Sequence, residues 1–257
     1  MTRWTAFPFL GEYGFDEPAV TQQWPRLHAG DAEPLPGDAR VLQAWVLFHE
    51  GRFHAACQAG LAAGGPGLAV ANKATCMYAN YLEKQEATRL ALFGAVAQRA
   101  QAQAAQAPRD VAAWYWLAYA LGRYSQGISV AAALAQGLGA TVKEALEAVL
   151  KLQPLHADAQ IALGTFHAEV IDKVGPLIGG MTYGASRALG LRLLRDGLAL
   201  NPDSAAAMTE CANGLVMLEG EQRMAEATGL YERAAACAPR DATERLAVEL
   251  ARNELRA

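Results

Sequence analysis

Paired cysteines, charge clusters and long apolar runs are all scarce in this sequence of 257 residues. The four cysteines share no C-x-x-C spacing and lie in helix-like patterns, which favours buried reduced thiols over disulfides or zinc ligands. No uncharged apolar stretch approaches the roughly 18 residues of a membrane span. The first 24 residues lack the basic start and apolar run of a secretory signal, so we expect a cytoplasmic location.

The charge balance and the aromatic content narrow the class of protein further. The net charge of −4, with no basic run, argues against nucleic acid as a partner. Only 8% of the residues are aromatic, whereas 56 are alanine. Alanine favours helices and strands favour β-branched and aromatic residues, so the composition predicts closely packed helices.

Four short proline-containing phrases recur along the chain, at residues 107–110, 153–158, 201–205 and 238–242. Their prolines lie 46, 48 and 37 residues apart, and each phrase separates two apolar helical patterns. Proline ends the first helix, and the Asp or Ser that follows can cap the next one. A small residue follows each of the first three prolines by ten positions, which lets neighbouring helices approach closely: Ala118, Gly164 and Ala212.

This pattern resembles the tetratricopeptide repeat, a helix pair of about 34 residues with a W-x-x-L-G-x-x-Y motif followed by A-x-x-x-F/Y and Pro. The resemblance covers residues 38 to 239 and is strongest over Ala205–Pro239. It implies an all-α, tetratricopeptide-like α-solenoid of about five helix pairs with a C-terminal capping helix.

The repeats divide the chain into three parts. Residues 1–36 are rich in aromatics and proline and predict an extended arm, residues 37–239 hold the repeats, and residues 240–257 form the capping helix. The long spacings predict two insertions, at 125–140 and 175–185, on the same rim of the solenoid. Thr141 and Glu144 have the spacing of a capping box that opens the helix after the first insertion.

One helix face combines residue types that suit ligand binding. Tyr115, Tyr119 and Arg123 recur at intervals of four residues, with Trp114 and Leu117 on the opposite, buried side. Arginine suits a carboxylate, and tyrosine offers a flat apolar ring with a polar tip. The resemblance implies that these residues line a concave groove, and the same repeat phase adds Asp158, Thr165, Glu169, Thr209 and Asn213. An ordinary solvated face, or a groove filled by the protein's own loops, is the competing interpretation.

His167 and Tyr183 complete the set of candidate ligand-binding residues. His167 occupies a position where this repeat usually packs an aromatic residue, so a partly buried histidine competes with a ligand-contacting or acid–base one. No nucleophile, phosphate-loop or metal-ligand motif is present, and we expect no catalytic residue, metal or cofactor. An enzyme that uses His167, Glu169 and Tyr183 is the least favoured alternative.

The layout is also similar to two divergent tetratricopeptide families, the T-component of tripartite ATP-independent periplasmic transporters and the regulators of microtubule dynamics. The leading hypothesis is a non-enzymatic interaction protein that binds a peptide segment or a small polar ligand in its groove, beneath the two insertions. One alternative is a structural protein that self-associates through the arm 1–36 into a homo-oligomer. Another is a small-molecule-binding component related to transporter accessory proteins.

Overall fold

The computed structural model describes residues 4–256, and every regular element within them is helical. Residues 1–3 of the predicted arm and residue 257 of the predicted capping helix lie outside the described residues. The helices are α1 (Glu17–Leu27), α2 (Ala39–His49), α3 (Phe53–Ala63), α4 (Gly67–Tyr81), α5 (Glu86–Gln106), α6 (Val111–Gln126), α7 (Val130–Ala135), α8 (Leu138–Leu152), α9 (Ala157–Val174), α10 (Pro176–Tyr183), α11 (Arg187–Leu200), α12 (Ala205–Glu219), α13 (Met224–Ala236) and α14 (Ala242–Glu254).

The chain forms two compact units. Among the described residues, unit 1 contains residues 4–28, 33–133 and 240–243, and unit 2 contains residues 29–32, 134–239 and 244–256. Helix pairs α2/α3 and α4/α5 pack within unit 1, and pairs α9/α11 and α12/α13 pack within unit 2. Helix α6 packs against α5 in unit 1 and α8 packs against α9 in unit 2, and α14 is the last helix along the chain. The all-α prediction is confirmed.

Side-chain caps explain where several helices begin. Asp110 accepts a hydrogen bond from the Ala113 amide, and Ser204 accepts one from the Ala207 amide, both at 3.1 Å, as the repeated phrases predict. In the second phrase the cap is His156 instead, whose Nδ1 accepts from the Ala159 amide. These bonds satisfy amide groups that have no partner within the helix.

Three predicted segments differ from the structure. The arm 1–36 is not extended throughout, because α1 occupies Glu17–Leu27. The insertion 175–185 is largely the helix α10, which Pro176 opens at a position that needs no amide donor. The insertion 125–140 contains α7, and α8 already begins at Leu138, so Thr141 lies inside that helix and does not cap it.

The described part of the arm packs on its own chain within unit 1. The Trp4 ring stacks on Tyr78, with ring centres 4.2 Å apart and planes 10° from parallel. Phe7 is buried and meets Phe53 edge-on at 6.2 Å. Such aromatic pairs add specific geometry to the burial of apolar area.

The cysteines and the longest helices agree with the sequence analysis. All four cysteines are free thiols; three are buried and Cys237 is half-buried. Burial raises the pKa of the Cys76 and Cys211 thiols, which keeps them protonated and unreactive. Across residues 4–256, none of the helices combines the length and apolarity needed to cross a lipid bilayer.

Candidate functional site

The strongest candidate site lies in unit 1, on the faces of α4 and α6. The Arg123 guanidinium lies 5.3 Å from the centre of the Tyr119 ring and donates to Gln126 Oε1 at 3.2 Å. Burial raises the pKa of the Tyr119 hydroxyl, and the positive charge of Arg123 opposes that rise. Tyr119 therefore stays neutral and can both donate and accept a hydrogen bond.

The prediction that Tyr115 lies on an exposed helix face is wrong. Tyr115 is only 6% exposed, because its ring packs against Trp116 at 5.0 Å and Tyr119 at 6.2 Å. Trp114, which was expected on the buried side, is only half-buried. The helix is thus rotated relative to the expected orientation, and Tyr115 supports the Tyr119 ring from within the core.

Helix α4 adds two residues that the sequence analysis did not identify. Lys73 and Tyr81 lie eight residues apart, so they share one face of α4. The Lys73 amine lies 5.3 Å from the Phe48 ring centre and 5.5 Å from that of Trp45, in cation–π geometry. The ionised form of Tyr81 would raise the pKa of Tyr119 further. We call Tyr81, Tyr119 and Arg123 the aromatic–cation face.

The predicted groove residues of unit 2 form hydrogen bonds or ion pairs with other side chains or with the backbone. The Thr165 hydroxyl donates to Glu210 at 3.4 Å, and Glu169 pairs with Lys173 at 3.0 Å. The Thr209 hydroxyl donates to the Ala205 carbonyl. Two further predicted residues have partners as well: Asn213 accepts from the Tyr231 hydroxyl at 2.8 Å, and the Asp158 amide donates to the Gly30 carbonyl at 3.0 Å.

His167 belongs to the core of unit 2. It is 1% exposed, and its Nδ1 accepts a hydrogen bond from the Ser186 amide at 3.4 Å. The Phe166 ring meets the rings of His167 at 5.7 Å and of Tyr183 at 6.2 Å. Glu169, on the same helix, pairs with Lys173 instead. Burial and the charge of Lys143 lower the pKa of His167, and Glu147 opposes them.

We expect unit 2 to lose stability as the pH falls below about 6.5, the ordinary pKa of histidine. Because the folded-state pKa is lowered, the unfolded chain binds the proton first, and stability declines until the folded-state pKa is passed. In His167→Asn, an oxygen replaces Nδ1 as the acceptor, and the decline should be shallower. Urea unfolding between pH 7 and pH 5, followed by far-UV circular dichroism, measures this difference. An equally steep decline in the variant contradicts the assignment.

A shallow groove lies between α12 and α13 in unit 2. Its volume is about 310 Å³, and its lining residues are uncharged: Ala212, Asn213, Val216, Met217, Met224, Ala227, Thr228 and Tyr231. Asn213, a predicted binding residue, lines this groove, but its carbonyl oxygen already accepts a hydrogen bond from Tyr231. Over residues 4–256, no group of three or more His, Cys, Asp or Glu side chains is arranged to hold a metal ion.

Comparison with known proteins identifies the fold. No family profile and no curated protein matches the chain. Among solved structures, the chain is similar to a thermophilic TPR protein of Thermus thermophilus, with 18% identity and a TM-score of 0.58. The similarity covers 84% of this chain and 98% of that protein. The fold of this chain is therefore a tetratricopeptide-like α-solenoid, as the spacing of its prolines and small residues predicts.

Proposed function

We propose that this protein is a non-enzymatic interaction module that binds a carboxylate-bearing peptide segment or small ligand on the aromatic–cation face of unit 1. The observation that carries the proposal is the Arg123 guanidinium, which lies over the Tyr119 ring at 5.3 Å from its centre. A guanidinium held against a ring is oriented before it meets a carboxylate, so less side-chain entropy is lost on binding.

The surrounding residues support a binding role over a catalytic one. The tyrosine rings add apolar area with polar tips beside the guanidinium. The enzymatic alternative depends on His167. This residue is buried in unit 2 and accepts a hydrogen bond from the Ser186 amide. Arm-mediated self-association is also less favoured, since Trp4 and Phe7 pack on their own chain. The cytoplasmic location and the resemblance to the transporter and microtubule-regulator families stay predictions.

We expect Arg123→Ala to weaken binding at this face by about tenfold or more, because a charge-assisted hydrogen bond is lost. The probe is a library of short synthetic peptides, each presented with a free carboxyl terminus and in amidated form. Binders should prefer the free carboxylate, and fluorescence anisotropy measures their affinity for the full chain.

Arg109→Ala is the matched control, since Arg109 is an exposed arginine of unit 1 that precedes α6. This variant should bind as the unaltered protein does, and Arg123→Lys should keep part of the affinity because it keeps the charge. The proposal is wrong if the library contains binders whose affinities are the same in Arg123→Ala and in the unaltered protein.

A further inference from the structure

Helix α10 is held to the rest of unit 2 by little apolar burial. Three of its eight side chains are large, apolar and exposed: Leu177, Ile178 and Met181 are 74%, 59% and 83% exposed. Across Pro176–Tyr183 only Gly179 is buried, and glycine has no side chain to pack. An element that buries little apolar area opens at a lower free energy than the unit to which it belongs.

A glycine at each end gives the backbone freedom to move α10 as one piece. Gly175 precedes the helix with φ +81°, and Gly184 follows it with φ +64°. Glycine populates such conformations readily and can leave them at little cost. Beyond the helix, the Ala185 amide donates to the Gly179 carbonyl at 3.1 Å. A displacement of residues 184–186 therefore displaces α10 as well.

The hydrogen bond between Ser186 and His167 fastens this connection to α9. The Ser186 amide donates to His167 Nδ1 at 3.4 Å, so the neutral ring carries its proton on Nε2. His167 is 1% exposed, and its Nε2 has no hydrogen-bond partner among residues 4–256. A second proton on the ring would set one N–H against another and leave a buried cation with no acceptor at either nitrogen. Protonation and the bond to Ser186 therefore exclude each other.

The charges near His167 do not compensate an added proton. Burial and the charge of Lys143 on α8 lower the pKa of His167, and Glu147 opposes them but is paired with Lys143 at 2.6 Å. On α9 itself, Glu169 pairs with Lys173. The other elements packed on α9 present residues that carry no charge at neutral pH: Tyr183 from α10, which contacts Phe166, and Gly190 from α11 with Leu218 from α12 beside it.

We propose that His167 is a proton-operated latch, which holds α10 against α9 while the imidazole is neutral and releases residues 184–186, and with them α10, when it binds a proton. In the released state the imidazole meets water and regains its ordinary pKa of about 6.5. Because the released state binds the proton more tightly, its population rises as the pH falls below about 6.5. Release uncovers the Phe166 ring, on which Tyr183 packs. The latch lies in unit 2 and does not depend on the aromatic–cation face.

Hydrogen–deuterium exchange of the full chain, measured by mass spectrometry at pH 7.5 and pH 5.5, tests the latch. After correction for the intrinsic effect of pH on amide exchange, the protection of α10 and residues 184–186 should fall by up to about tenfold at pH 5.5. A low urea concentration separates local release from unfolding of the whole unit. It should hasten exchange in α13 but leave α10 unchanged, since release exposes little new surface.

Two variants remove the proton-binding group and keep an acceptor. His167→Asn and His167→Gln each place an oxygen in the ring's position, and in both the fall in protection at pH 5.5 should disappear. His54→Asn is the matched control, since His54 is an exposed histidine of unit 1, and it should respond to pH as the unaltered chain does. Unchanged protection of α10 in the unaltered chain, a full response in either His167 variant, or exchange of α10 that follows urea as α13 does would each overturn the proposal.

Discussion

His49→Ala should lower the free energy of unfolding of unit 1 by about 2–5 kcal/mol, the range found when a large buried side chain is replaced by alanine. The His49 Nδ1–H donates to Asp241 Oδ2 at 2.7 Å, and both side chains are almost fully buried. The substitution removes this donor from a buried carboxylate and also leaves a cavity among Trp45 and Phe48. Urea unfolding measures the loss.

Tryptophan fluorescence isolates unit 1 in this experiment, since all five tryptophans of the chain belong to that unit. His54→Ala is the control: His54 is exposed, and its loss should change stability by no more than about 0.5 kcal/mol. His49→Asn can still donate to Asp241 and should lose less than His49→Ala. Equal losses in His49→Ala and His54→Ala would show that the buried pair does not stabilise unit 1.

Gly60→Ala should destabilise unit 1 by about 1–3 kcal/mol, whereas the same substitution at Gly94 should stabilise it by about 0.5–1 kcal/mol. A Cβ at Gly60 would meet the Gly67 carbonyl oxygen at 2.5 Å and the Ala71 amide nitrogen at 3.0 Å, and backbone atoms cannot turn aside. A Cβ at Gly94, in the middle of α5, would meet no atom within 4 Å. Alanine there gains helix propensity without overlap.

The two glycine variants form a matched pair, since each adds one methyl group to a helix of unit 1. Tryptophan fluorescence during urea unfolding measures both. Opposite signs show that close approach of α3 and α4, rather than glycine content, sets the stability at Gly60. If Gly60→Ala instead raises the free energy of unfolding, α3 and α4 can move apart at low cost. Their close approach would then contribute little to the stability of unit 1.

The repeat architecture could be read from the sequence because its signals are local. Prolines, cap residues and small residues at fixed offsets depend on the backbone of one helix or on one helix contact. The same kind of signal was available for α1, whose Asp16 accepts from the Ala19 amide one residue before the helix begins, with Pro18 in the first turn. The proline and aromatic content of the arm masked this start signal.

The candidate site was predicted less completely, because helix rotation and packing between helices are not local properties. Tyr119 and Arg123 share a face as their spacing requires, but a small rotation of α6 buries Tyr115. Lys73 and Tyr81 were missed because none of the recurring proline phrases lies next to α4. Asn213 was predicted as a binding residue, although only the packing of α13 on α12 reveals its Tyr231 partner.

Residues 240–243 belong to unit 1, although the remainder of unit 1 ends at residue 133. Asp241 consequently leaves the ribosome 192 residues after His49, the residue that it pairs with. Unit 1 therefore cannot complete its core while its own helices are being synthesised. The bond between His49 and Asp241 can form only after unit 2 has been translated up to residue 239. An mRNA truncated before the codon for residue 241 would yield a product in which His49 has no Asp241 to pair with.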